Sequence, residues 1–135
     1  MREWRTHVAR LDADGVPRPA PGIASPCGRG GDPARELPAC TACHGAAMTG
    51  VRPAVPGLLG LPRDYLIGQL GGWQTGLRQA TAPDCMAAIA KRLSGDDVSA
   101  VASWLAAQPL PADPHPAPAT TQHQPLRCGS AGSPR

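Results

Sequence analysis

The sequence predicts a small all-α domain with long Gly/Pro-rich loops, and three observations carry that expectation. Apolar residues recur at helical spacing in three stretches between residues 61 and 109. Capping and breaking residues stand at the ends of those stretches. Runs with the alternating pattern of strands are nearly absent. The first stretch, "LPRDYLIGQLGGWQTG", places Tyr65, Leu66, Gln69 and Leu70 at helical spacing and ends in Gly-Gly and Thr-Gly breakers. The second, "PDCMAAIAKRL", starts after Pro83, with Asp84 at the helix start. The third, "SGDDVSAVASWLAAQP", is the clearest. Ser94 is the expected cap, Asp97 sits three residues later as in a capping box, Asp96 reads as a helix-start acid, and Pro109 ends the helix. Val98, Val101, Ala102 and Leu105 follow the i, i+3, i+4, i+7 rule of an apolar stripe.

Either side of this region the texture changes. Residues 1–30 carry no apolar period and read as a linker or poorly ordered lead-in; residues 31–108 form the expected domain. Residues 109–135 read as an extended Pro-rich tail, because "QPLPADPHPAPATTQHQ" excludes helix and central strand. The 135 residues therefore suffice for one small domain plus tails. The core is thin. There is no Phe, one Tyr and three Trp, and the 16 Gly and 17 Pro make up about a quarter of the chain. So small a domain needs a staple: a metal, a disulfide or a cofactor. The net charge of +3 comes from scattered residues, which argues against a nucleic-acid partner. No stretch approaches the ~18 apolar residues of a membrane span.

The motif Cys40-Thr-Ala-Cys43-His44 supplies the candidate staple, and three chemistries compete for it. Zinc wants four ligands, usually as two separated pairs, whereas Cys27, Cys85 and Cys128 are isolated. A redox dithiol expects a preceding strand in a βαβ setting, for which the sequence gives no sign. Covalent haem uses all three residues at this spacing. Two thiols three apart on one helical turn form thioethers with the porphyrin vinyl groups, and the adjacent imidazole reaches the iron.

A second axial ligand is then needed, and the candidates are Met48, Met86, His115 and His123. Met48 is only four residues beyond His44, too few to pass the ring edge. The two histidines sit in the solvated tail. Met86 follows His44 by 42 residues and opens a short helix. A His/Met pair is the ligand set of electron-transfer cytochromes c and raises the potential. The competing reading of Met86 is a core gap-filler.

Residues 31–108, over half the chain, resemble a class I cytochrome c domain, especially the bacterial, often tandem-haem, cytochrome c4-like group. The stretches "LPACTACHG", "PAVPGLLGLPRDYLIGQLGGWQTGLRQ" and "MAAIAKRLSGDDVSAVASWLAAQ" carry the likeness. The resemblance implies the class I cytochrome c fold around one covalent haem c, with Cys40, Cys43 and His44 at the attachment site and Met86 as distal ligand. It places Pro56 in a loop that hydrogen-bonds the histidine, and Tyr65 and Trp73 at the haem edge. It also implies that Trp104 packs against a helix preceding the motif, where this chain instead has "SPCGRGGDPARELP". The implied function is a monohaem electron carrier, or an electron-transfer domain of a larger assembly, serving a dehydrogenase or terminal oxidase. Haem attachment in this group implies the periplasm or its membrane surface. The start, "MREWRTHVARLDADGV", lacks the apolar run of an export signal, so a fragment of a longer exported protein is the expected explanation. No residue pair resembles an acid–base or nucleophile constellation. Two rivals remain at this point: a haem enzyme or ligand sensor with an open distal face, and a non-haem binding module stapled by disulfides.

Three cysteines stand outside the motif. An oxidising compartment favours pairing two of them. Cys85 lies next to Met86, and Cys128 ends a tail that at ~3.1 Å per extended residue could cross the domain. Cys85–Cys128 is therefore the expected pair, with Cys27 left over; three reduced thiols are the alternative.

Overall fold

A computed structural model describes residues 31–119 and 124–130. Four α-helices run in chain order: α1 (Cys40–His44), α2 (Arg63–Thr75), α3 (Cys85–Arg92) and α4 (Gly95–Ala107). The only paired backbone outside helices, among the described residues, is a set of isolated bridges: Asp32 with Leu37, Val51 with Val55, and Val51 with Ala117.

The cap residues set the two C-terminal helices. The Ser94 side chain accepts from the Asp97 N–H at 3.1 Å while the Asp97 carboxylate accepts from the Ser94 N–H at 2.8 Å, a complete capping box. The α4 stripe is buried as its periodicity requires, with Val98, Val101, Ala102 and Leu105 all at 5% exposure or less. Burying each large apolar side chain there stabilises the fold by about 1.5–3 kcal/mol. Asp84 caps α3 by accepting from the Ala87 N–H at 3.1 Å.

The helix α2 packs against both α3 and α4. Leu66, Val101, Ala102, Leu105 and Met48 form one core cluster, and Leu37, Leu93 and Val98 a second, bridged by Ile67 and Leu70 of α2. Polar contacts fix the crossings. Arg63 donates to Ser99 and Ser103 of α4, both at 2.7 Å. Gln74 donates to the carbonyls of Ala90 and Leu93, satisfying the end of α3.

Two expectations need correction. Of the two breakers expected at the end of α2, Gly71-Gly72 is carried inside the helix, which runs on to Thr75 and stops at the second, Gly76, in the left-handed conformation. Packing on two helices outweighs the ~1 kcal/mol that each interior glycine costs. Gly72 also makes room for the returning chain. A Cβ there would stand 3.2 Å from Arg78 Cβ, and the Arg78 N–H donates to the Gly72 carbonyl at 3.0 Å.

The second correction concerns Trp104. Among the described residues, the segment before α1 (31–39) holds only a 3-10 turn at Pro33–Arg35 and offers Trp104 no α-helix. Trp104 packs instead on the cluster of Met48, Leu66 and Val101. An ionic latch links the turn to α4: Arg35 bridges Asp32 at 2.7 Å and Asp97 at 2.6 Å. Arg92 of α3 adds a bond to the Glu36 carbonyl at 2.7 Å.

Candidate functional site

Helix α1 is the pentapeptide CTACH, in which Cys40 and Cys43 are three apart and share a face. Together with His44, Pro56, Tyr65, Trp73 and Met86 they line a single cavity of about 420 Å³. All seven residues singled out around the haem reading thus meet at one place, although they come from four segments of the chain. The volume falls in the ~300–1,000 Å³ range of small-molecule and cofactor sites.

His44 is buried, with 7% of its surface exposed. Its Nδ1–H donates to the Pro56 carbonyl at 2.7 Å, which fixes the ring and leaves the Nε2 lone pair for a metal. Burial pushes the imidazole pKa down, and the Pro56 carbonyl opposes this only in part, so the ring is neutral. The loop from 45 to 58 aims that carbonyl through its own backbone. The Gly50 N–H donates to the His44 carbonyl at 2.9 Å, Val51 and Val55 exchange bonds at 2.9 and 3.0 Å, and the Leu58 N–H donates to Met48 at 2.9 Å.

Met86, the second residue of α3, is half-buried on the same cavity. Its position depends on Asp84, which accepts from the Ala80 N–H at 2.8 Å as well as from Ala87. Burial raises the Asp84 carboxyl pKa, but these two N–H donors, together with Trp73 and Lys91, more than offset it and the group stays below its ordinary range.

The other ligand candidates lie elsewhere. Met48 is buried in the core and does not line the cavity. His115 is exposed and bonded to Asp113 at 2.7 Å. His123, like Cys27, lies outside the described residues. Among the described residues, no group of three or more His, Cys, Asp or Glu is placed to hold a metal ion by itself.

The cavity also has a polar corner that sequence reasoning missed. Arg78, just past the end of α2, stacks its guanidinium over the Trp73 ring at 4.0 Å and donates to Gln69. The Trp73 indole helps hold the Asp84 carboxyl low, yet its buried Nε1–H completes no hydrogen bond of ordinary geometry. A buried donor without a partner costs about 1–3 kcal/mol. The only advance signal was an arginine just after a helix-stopping glycine, which is weak.

Cys43 is a thiol, half-buried, with its pKa raised by burial. Cys40 is disulfide-bonded, so a thioether at that sulfur would take the place of its present bond. Cys85 and Cys128 are joined by a disulfide, S–S 2.07 Å, 43 residues apart in sequence.

No family model matches the chain. It is 36% identical over 110 residues to a thiosulfate dehydrogenase electron acceptor of Thiomonas intermedia, covering 78% of this chain and 51% of that protein. Among solved structures, thiosulfate dehydrogenase from Marichromatium purpuratum superposes with a TM-score of 0.61 at 40% identity, over 76% of this chain and 21% of that one. Cytochrome c4 of Acidithiobacillus ferrooxidans superposes at 0.54 with 29% identity, over 68% and 55%. Fold, attachment motif and likenesses together define a class I c-type cytochrome domain. Within that class, a cytochrome c4-like domain fits the chain, which is 37% identical over 79 residues to cytochrome c4 of Azotobacter vinelandii. It spans about half the length of the Thiomonas relative.

The residues fit the covalent haem c of that class. The cavity is mostly apolar, its histidine presents Nε2, and Trp73 and Arg78 offer donors of the kind a buried carboxylate-bearing ligand needs.

Proposed function

We propose that this chain is a monohaem electron carrier, or the electron-carrying part of a longer protein, that exchanges single electrons with a redox partner. The carrying observation is the His44 Nδ1–Pro56 bond at the Cys40-x-x-Cys43-His44 wall of a cavity that Met86 also lines. Iron held by His and Met in a covalent haem supplies reversible one-electron chemistry.

The chain's own residues do the rest. Cys40 and Cys43 would be the thioether anchors, and His44, oriented by Pro56, and Met86 would hold the iron. Leu66, Leu70, Val101 and Leu105 exclude water from the cavity. Trp73 and Arg78 would offer donors to the haem carboxylates, and Tyr65, about half exposed, sits at the cavity mouth.

The proposed partner class is a dehydrogenase donor, because one relative is described as the electron acceptor of thiosulfate dehydrogenase; a terminal oxidase is the matching acceptor. The proposed compartment is the periplasm, where thioether attachment and the Cys85–Cys128 disulfide are both compatible. No helix among the described residues is long and apolar enough to cross a membrane. The rival reading is a non-haem module stapled by disulfides such as Cys85–Cys128.

One experiment separates the two readings. The chain, exported from a host that attaches haem, is run on a denaturing gel, stained for haem and weighed by mass spectrometry. One covalent haem, with the weak red charge-transfer band of Met-ligated ferric iron, is the expected result. A colourless chain sinks the proposal, and a high-spin spectrum moves it to the open-site haem enzyme.

A further inference from the structure

We infer that residues 124–130, closed by the Cys85–Cys128 disulfide, form a strap that holds Met86 in place and keeps foreign small ligands off the distal side of the site. This rests on the haem reading above and adds a positioning role for two cysteines that the reading leaves unused. Four observations place the strap. Cys128 is bonded to Cys85, the residue immediately before Met86. The Gly129 N–H donates to the Pro83 carbonyl at 3.0 Å, and Ser130 Oγ accepts from the Thr81 N–H at 3.1 Å. The strap thereby grips the loop that leads into α3. Gln124, Cys128 and Ser130 line the same cavity as Met86. Finally, the approach is so close that a Cβ at Gly129 would lie 2.2 Å from the Ala82 carbonyl oxygen, which only glycine allows.

The strap fully buries no large apolar side chain; Leu126 is half-buried, and the Gly129 and Ser130 hydrogen bonds with the covalent bond tie the strap to the loop before Met86. Met86 belongs to a helix of eight residues whose first turn has one side-chain cap. Such a short helix frays readily at its end, and fraying there would lift the thioether away. A crosslink at the residue next door suppresses that opening. The strap therefore determines specificity: it reserves the site for electrons rather than for ligands.

The test uses the haem-loaded full chain. The Cys85→Ser/Cys128→Ser variant should keep its haem and helix content, weaken the Met–iron band, and bind azide about tenfold more tightly, since apparent affinity scales with the open fraction. Gly129→Val should act in the same direction without touching a sulfur atom. Should the double variant lose its haem, the wild-type protein decides. Carbon monoxide binding to the ferrous form is timed before and after phosphine reduction, in which two electrons and two protons convert the disulfide to two thiols. Faster binding after reduction, reversed on reoxidation, supports the strap. Azide affinity within about twofold of wild type in haem-replete variants overturns the strap while the haem reading stands. A wild-type chain without haem overturns the reading itself.

Discussion

The two walls of the cavity are built in opposite ways. On the His44 side, helix and loop lie within residues 40–58, and five backbone or ring hydrogen bonds among neighbours fix the ligand. On the Met86 side, the proposed ligand hangs on a short helix with one capping carboxylate, and the tie to Cys128 comes from 43 residues away. The first wall is self-sufficient and buries its ligand. The second leaves its ligand half-buried and dependent on chain that is remote in sequence. One site thus joins a rigid fixture to an adjustable one, and perturbations should register on the adjustable side first.

The largest expected effect comes from the first wall. Cys40→Ser/Cys43→Ser should abolish covalent haem altogether, read as loss of the stained band and of the added mass; retained covalent pigment would remove these residues from the attachment site. Next, Met86→Ala should keep the haem, lower the potential by on the order of 0.1 V within the ~0.8 V range that axial ligands command, and admit azide. If His115→Ala does this instead, the comparison of walls is wrong, because the second ligand then comes from the exposed tail.

A smaller effect sharpens the contrast between local and remote anchoring. Asp97 ties the Arg35 latch to the α4 cap. Burial raises its carboxyl pKa, but the bonds from Arg35 and Ser94 outweigh this and leave it below 3.8. Its stabilisation is therefore present above the unfolded value and is lost as pH falls through the lower folded value. Asp97→Asn should cost about 1–2 kcal/mol at pH 7 in denaturant unfolding. That difference should shrink once pH drops below about 3.8. A difference that persists unchanged at lower pH would show the carboxylate's charge is irrelevant.

The smallest effect is the cap of α3. Asp84→Ala should cost about 1 kcal/mol in unfolding and weaken the Met–iron band more than any change to haem content. Equal loss of band and haem would mean that the second wall is no more adjustable than the first.

What the sequence made legible follows the same division. Ser94, Asp97 and the stripe from Val98 to Leu105 lie within a dozen residues, so cap and face could be read directly. The attachment pentapeptide is likewise a local signal. Remote pairings left little trace. Ala117, in a segment whose prolines suggested only an extended tail, exchanges bonds with Gly50 and Arg52 at 2.9 Å, and no periodicity announces a partner more than sixty residues away. Gly71 and Gly72 misled because breakers act locally, while α2 is held by helices on two sides. Trp73 and Arg78 meet only because the chain turns back at Gly76. The Pro56 role rested on family likeness rather than on any pattern in the loop.

The 420 Å³ cavity has one more consequence, for the life of the chain before loading. Without a bound group, its apolar lining forfeits the contacts that group would make, so the loaded protein is stabilised relative to the chain alone. A newly made chain without its cofactor should therefore be more readily degraded than the loaded one, and attachment would act as the quality check that separates survivors from waste. Limited proteolysis of the Cys40→Ser/Cys43→Ser variant beside the loaded protein should show the difference as rapid cleavage throughout α2 to α4.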